Sequence, residues 1–214
     1  MIVLGLTGSI GMGKSTAARM LAGMGAPVCD SDAVVHGLLG KGGAAVPAIA
    51  AAFPGSVVDG AVDRRALGAA VFADPEALKR LEAILHPRVQ EAQRRFLGRA
   101  AQRGVKVAVL DIPLLFETGG ERRVDRTVVV SAPYPVQKAR VLARPGMTAE
   151  KFAGILARQT PDVEKRRRAD YVVPTGLGRL VTRRALRAIV RDIRTARGRH
   201  WPPRGYQPGW KPHA

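Results

Sequence analysis

Apolar residues along this chain fall either in short unbroken runs or at intervals of three and four. Ile2-Val3-Leu4-Gly5-Leu6 is the first unbroken run, and residues 2–7 predict a short buried strand. Lys14–Met24 has helical spacing and predicts an amphipathic helix that stops at Gly25. Pro27–Cys29 predicts a second strand, with Asp30-Ser31-Asp32 just past its end and Ser31 or Asp32 as the cap of the next helix. From there to Phe53 the pattern is weak, Ala-rich and broken by Gly40, Gly42, Gly43 and Pro47. Asp63–Phe72 and Pro75–Leu85 predict helices, His86-Pro87 interrupts, and Arg88–Gln102 resumes.

Val105–Leu110 is a continuous apolar run with one Lys, ending at Asp111, and predicts a buried parallel strand. Thr127–Val130 predicts another, ending near Ser131, and Tyr171–Val173 a last one. Helices are predicted over Val136–Leu142, from Thr148, over Val163–Ala169 and over Leu180–Thr195, with turns at Arg144-Pro145-Gly146 and Pro161. After about Arg199 there is no periodicity, and residues 199–214 read as a loose basic tail. Strands alternating with helices predict an α/β fold built on a doubly wound parallel sheet. The helical stretch at about 33–104 is too long for a simple crossover and predicts an inserted, substrate-binding subdomain. A second insertion, at about 144–169, reads as a lid on a single domain spanning 1–198.

Length fits that picture: 214 residues suffice for one α/β core with insertions. Charge adds a preference for anionic partners. The chain carries 35 Lys and Arg against 17 Asp and Glu, and residues 122–214 alone hold 22 basic and 6 acidic side chains. An Arg-rich, GC-biased composition produces the same excess. Cys29 is the only cysteine, which excludes an internal disulfide and a cysteine metal cluster and suits a reducing cytoplasm. There is no signal-peptide pattern and no run of about 18 apolar residues, so a cytoplasmic protein with no membrane partner is expected.

Gly8-Ser9-Ile10-Gly11-Met12-Gly13-Lys14-Ser15, then Thr16, matches G-x-x-x-x-G-K-[ST] between a predicted strand and a predicted helix. Small residues let backbone N–H groups surround a phosphate, and the helix start favours negative charge. Gly11, Met12, Gly13, Lys14, Ser15 and Thr16 are therefore expected to bind ATP phosphates, with Lys14 catalytic and the Ser15 hydroxyl on Mg²⁺. Asp111, ending a buried strand, is the second expected Mg²⁺ residue. Asp30 and Asp32 lie at a strand tip, where open α/β sheets bind ligands. Phosphoryl transfer to an alcohol needs a carboxylate that takes the hydroxyl proton, although two such acids also suit turn or cap duty. Arg140, Arg144, Arg158 and Lys165-Arg166-Arg167-Arg168 surround the second insertion as candidate phosphate contacts. No His, Asp or Glu spacing suggests zinc.

Several segments together resemble the dephospho-CoA kinases. They are the stretch from Gly5 to Ser15, Cys29-Asp30-Ser31-Asp32, Leu85-His86-Pro87, Asp111-Ile112-Pro113-Leu114-Leu115-Phe116-Glu117, and Arg158-Gln159 followed by Lys165 to Val172. The family usually has Asp-Ala-Asp where Ser31 stands here. The resemblance covers about residues 1–197. It implies a P-loop kinase fold with a helical substrate domain and a lid, and ATP-dependent phosphorylation of the ribose 3′-hydroxyl of dephospho-CoA, the last step of coenzyme A synthesis. It implies Asp30 as general base and Asp32 beside it as a supporting or metal-shell acid on the substrate side. His86, Leu114, Leu115, Phe116 and Glu117 would line the acceptor side, with Arg140 and Arg144 entering from the lid. Dephospho-CoA and ATP are the expected partners of a monomer or small homo-oligomer, with no nucleic acid. Another P-loop small-molecule kinase, of nucleoside or shikimate type, or a nucleic-acid-dependent ATPase would share the core. The absence of N-K-x-D disfavours a GTPase.

Overall fold

A computed structural model describes residues 1–72 and 74–202 of the chain. In order, the elements are β1 (Ile2–Thr7), α1 (Lys14–Ala22), β2 (Val28–Asp30), α2 (Ser31–Leu39), α3 (Val46–Ala52), β3 (Val57–Val58), β4 (Ala61–Val62), α4 (Arg64–Phe72) and α5 (Pro75–Gln102). They continue as β5 (Val107–Asp111), β6 (Arg126–Ser131), α6 (Tyr134–Leu142), α7 (Ala149–Ala157), α8 (Asp162–Arg168), β7 (Tyr171–Pro174) and α9 (Arg179–Ile193). The chain divides into two compact units, Cys29–Phe96 and the remainder.

In the larger unit, parallel strands run in the order β5-β1-β6-β7, and the Pro27 carbonyl accepts from Val109 N–H where the chain enters β2. β1 is buried at all six positions, as a two-sided parallel strand requires. α1 and α9 pack on one face, where Ala17, Leu21, Leu186, Ile189 and Ile193 join Leu4, Leu6, Val128 and Val130. The doubly wound reading therefore holds, with small shifts at the ends: α1 closes at Gly23, and β5 begins two residues later than its apolar run.

The smaller unit is helical around Ile49, Phe53, Val62 and Leu67. Its boundary falls at Cys29 and inside α5 rather than at 33 and 104. One expectation here needs correction, and some elements lie where the apolar pattern is weak. α2 is the helix expected after Asp30, and α3 lies in the weakly patterned stretch. Asp59-Gly60 closes a β3–β4 hairpin with φ of 50° and 76°, the turn geometry for which Asp-Gly is suited. His86-Pro87 does not interrupt α5, which runs through Pro87 for 28 residues. Proline removes one helical donor, and the Arg88 guanidinium donates to the Ile84 carbonyl at 2.7 Å beside that gap.

Of the tail expected to be loose, residues 203–214 lie outside the described residues. Residues 199–202 are not loose. Arg199 and His200 N–H donate to Asp125 Oδ1, and Trp201 is 6% exposed. Deleting 203–214 is expected to leave kcat/KM within about threefold, under 1 kcal/mol. Deleting from 199 is expected to cost about 2–3 kcal/mol of stability by exposing the Trp201 contact surface. Urea denaturation of the two truncations separates these outcomes.

Candidate active site

The loop between β1 and α1 is glycine-rich because its surroundings admit nothing larger. A Cβ on Gly8 would lie 2.5 Å from Val130 Cγ2 and 2.7 Å from the Val130 carbonyl oxygen. Gly11 has φ of +77°, and a Cβ there would lie 2.5 Å from Val141 Cγ2. At the start of α1, Thr16 and Ala17 N–H both turn back to the Gly13 carbonyl at 3.1 Å. The first-turn N–H groups of Lys14 and Ser15 have no acceptor within the helix, as at any helix start. They point a partial positive charge into the loop.

Lys14 lies at the mouth of this loop. Its Nζ is 2.6 Å from Asp111 Oδ1, and the carboxylate side chain is only 4% exposed. β1 and β5 are in parallel register there, with Leu6 beside Asp111, so the sheet itself sets the pair. Ser15 is exposed at the first turn of α1. Ser15 and Asp111 offer hard oxygen donors, which suits Mg²⁺. Among the described residues no group of three His, Cys, Asp or Glu could hold a metal unaided. Mg²⁺ characteristically takes one or two protein oxygens and completes its shell from water and substrate phosphate.

Met12 supports the loop through its side chain. Its side chain is buried, its sulfur accepts from Ala132 N–H at 3.1 Å, and its own N–H donates to the Ser9 carbonyl at 3.1 Å. Its carbonyl accepts from Thr175 Oγ1 at 2.7 Å, and Arg140 in turn donates to Thr175 through both terminal nitrogens, at 3.1 and 2.6 Å. Arg140 is thus joined to the phosphate loop through one threonine. Arg144 is exposed, with no side-chain hydrogen bond or ion pair among the described residues.

Two glutamines, not anticipated from sequence as site residues, grip the backbone of the same residue, Ile10. Gln137 Nε2 donates to the Ile10 carbonyl at 2.8 Å, and Ile10 N–H donates to Gln159 Oε1 at 3.1 Å. Gln137 comes from α6 and Gln159 from the α7–α8 connection. Gln159 follows Arg158 in the segment that carried the family resemblance, the only sequence signal for it. The Ser9–Met12 arc borders a cleft of about 680 Å³ whose other walls include Tyr134, Asp162, Arg166 and Leu177.

The Leu114–Glu117 segment behaves differently from expectation. Leu114 is exposed and available to a ligand. Leu115 is fully buried, and a Cβ on Gly5 would meet it at 3.1 Å, so it belongs to the core under β1. Phe116 is buried, with the Arg168 guanidinium 4.6 Å from its ring centre. Glu117 Oε1 accepts from Thr160 N–H at 2.8 Å and pairs at 2.9 Å with Lys165, whose side chain is 0% exposed. Leu115 thus fills the core, while Phe116 and Glu117 hold α8 and the chain before it.

Burial alone would push the Glu117 carboxyl up. The Lys165 ammonium and the Thr160 N–H overcome this and hold its pKa below the ordinary carboxylate value. The stabilisation from this lowered pKa is complete above the ordinary value, about 4.3, and disappears as pH falls through the folded-state value. Glu117→Gln is expected to cost about 3 kcal/mol at pH 7 by leaving Lys165 buried without its counter-charge. Urea denaturation at pH 7 and pH 3 should show a difference between parent and variant that narrows in acid.

In the smaller unit, Asp30 is the N-cap of α2, its Oδ1 accepting from Asp32 and Ala33 N–H at 2.9 and 3.2 Å. The cap is therefore Asp30, not Ser31 or Asp32. Ser31 is buried and receives a hydrogen bond from Gln93 at 3.0 Å, which uses the hydroxyl where the family usually has alanine. Asp32 is exposed in the first turn of α2. His86 is exposed midway along α5, one residue after Leu85, which packs in the helical core.

Comparison with known proteins bears on what this arrangement serves. A family model described as "Dephospho-CoA kinase" matches residues 2–177. A protein of Mesorhizobium japonicum named dephospho-CoA kinase is 60% identical over 198 residues, 92% of this chain and 100% of that one. One of Rhodospirillum rubrum with the same name is 55% identical across the full length of both chains. Among solved structures, TT1252 from Thermus thermophilus is 39% identical, with a TM-score of 0.80 over 90% of this chain and 97% of that one. Dephospho-CoA kinase from Campylobacter jejuni shares the fold at 22% identity, with a TM-score of 0.59 over 89% of this chain and 96% of that one.

Proposed function

The chain belongs to the dephospho-CoA kinase family, and from that premise we propose how its own residues carry out ATP-dependent phosphorylation of dephospho-CoA. The observation that carries the proposal is the Lys14 ammonium held 2.6 Å from Asp111 at the phosphate loop. It fixes a positive charge at the start of α1 before nucleotide arrives. The loop N–H groups and Lys14 hold the β- and γ-phosphates and offset charge on the transferring group. Mg²⁺, held by Ser15 and Asp111 together with the phosphates, would supply further charge neutralisation. Asp30 accepts the proton of the ribose 3′-hydroxyl as that oxygen bonds to the γ-phosphorus, and the bond to ADP breaks. Asp32 supports it. Arg140, fixed on Thr175, bears on the nucleotide side of the loop, and Leu114 and His86 are the exposed residues assigned to the acceptor. We propose a cytoplasmic location for the reaction. ADP release with dephospho-CoA, compared with adenosine, shikimate and RNA as acceptors, tests the assignment. Preference for any of the other three would overturn it.

We propose a lid smaller than the segment 144–169. α8 is anchored by Lys165 to Glu117 and by Ser131 Oγ donating to Asp162 Oδ2 at 2.7 Å, and it packs on β6. The part left to close is the Arg144–Met147 turn with α7, which is tied to α6 by Tyr134 stacked on Phe152 at 6.2 Å. Closure excludes water from the transferring phosphate. Hydrogen exchange is expected to slow over 144–158 when ATP and acceptor bind, with little change in α8. Unchanged exchange over 144–158 would count against a lid.

A further inference from the structure

α9 carries a row of arginines that the kinase reaction does not use. Arg179, Arg183, Arg187, Arg191 and Arg194 line one groove of about 750 Å³ between α9 and α1. Their spacing of four, four, four and three residues puts them on one helix face, one guanidinium per roughly 6 Å over about 22 Å. The floor includes Met20 and Met24 at the end of α1. All five arginines are exposed, and none has an ion-pair or side-chain hydrogen-bond partner among the described residues. Elsewhere the basic side chains Lys79, Arg94, Lys165 and Arg168 lie beside carboxylates. Asp192, the one acid of α9, is engaged by the Tyr171 hydroxyl at 2.7 Å. Like charges at four-residue spacing destabilise a helix. A row of them inside a concavity is therefore a standing cost that an extended anion relieves.

We propose that this groove binds the phosphate backbone of a single-stranded nucleic acid. The periodicity favours an extended chain of evenly spaced phosphates over a compact polyphosphate. A bilayer is disfavoured because α9 buries Leu186, Ile189, Val190 and Ile193 in the protein core, and the large apolar residues it leaves exposed, Leu180 and Val181, are confined to its first turn. Among the described residues, the groove's lining has no aromatic side chain. Contact is therefore through phosphate, without base stacking or sequence preference. This departs from the expectation of no nucleic-acid partner, and it does not rest on the reaction assigned to the phosphate loop.

The test uses the full chain and a fluorescein-labelled 20-nucleotide single-stranded RNA of mixed sequence, followed by anisotropy between 50 and 300 mM NaCl with saturating ATP present. Five phosphate contacts predict a log–log salt slope of about −3.5, and Arg183→Gln with Arg187→Gln should bring it to about −2 and weaken binding at least tenfold at 50 mM. Arg183→Lys with Arg187→Lys should keep the parental slope, and ADP release with dephospho-CoA should be unaffected in both variants. No binding by the parent, equal binding by the Gln variant, loss of binding when ATP is added, or binding to phosphatidylglycerol vesicles in place of RNA would each overturn the proposal.

Discussion

Asp30→Asn is expected to lower kcat by about 10²–10⁴-fold while leaving KM for ATP nearly unchanged. The substitution removes the basic carboxylate proposed to take the 3′-hydroxyl proton but keeps size and hydrogen-bonding capacity. The structure makes it a clean experiment. Asp30 caps α2 through Oδ1, and Asn serves as an N-cap about as well as Asp, so the fold should survive. Asp63 and Asp74 cap α4 and α5 with the same two-bond geometry. Asp63→Asn and Asp74→Asn therefore control for cap chemistry and should retain full activity. If Asp32→Asn is crippling and Asp30→Asn mild, the two roles are reversed.

Lys14→Ala is expected to reduce phosphoryl transfer by about 10²–10³-fold or more, the size of effect seen when one preorganised electrostatic donor is removed. It should also cost stability. Asp111 is almost wholly buried, and Lys14 is the cation 2.6 Å from it. Losing a charged hydrogen bond of this kind costs about 1.5–3 kcal/mol. The variant should still fold, with a lowered urea midpoint, and circular dichroism establishes that before activity is read. Near-normal turnover in the folded variant would remove the phosphate-loop assignment.

Much of the site was legible because its chemistry is local. The phosphate loop needs small residues and a helix start in sequence, so Gly8 to Ser15 announces it in one run. Asp111 was legible because a strand end beside that loop is a position the fold dictates. Gln137, Gln159 and Thr175 were not legible as site residues, because they reach the loop across 127, 149 and 163 positions of chain. A polar side chain on a helix or in a turn carries no mark of the carbonyl it will meet. The Asp59-Gly60 hairpin is a different case: its turn signal was present, but strands of two residues are too short to show an apolar alternation.

The order of strands and helices in the larger unit, its parallel sheet and the expectation of phosphate-binding chemistry follow from the sequence by itself. Apolar periodicity and glycine placement act over a few residues, and burial on two faces requires unbroken apolar runs. Tertiary structure alone decided which side chains face the site and which support it. Leu115, Phe116 and Glu117 stand together in the most family-specific segment, yet the first fills space under Gly5, the second lies beneath Arg168 and the third neutralises Lys165. Long-range packing set that difference. A side chain's role depends on what the rest of the chain brings within about 4 Å of it, and in a fold closed by crossovers those neighbours are distant in sequence.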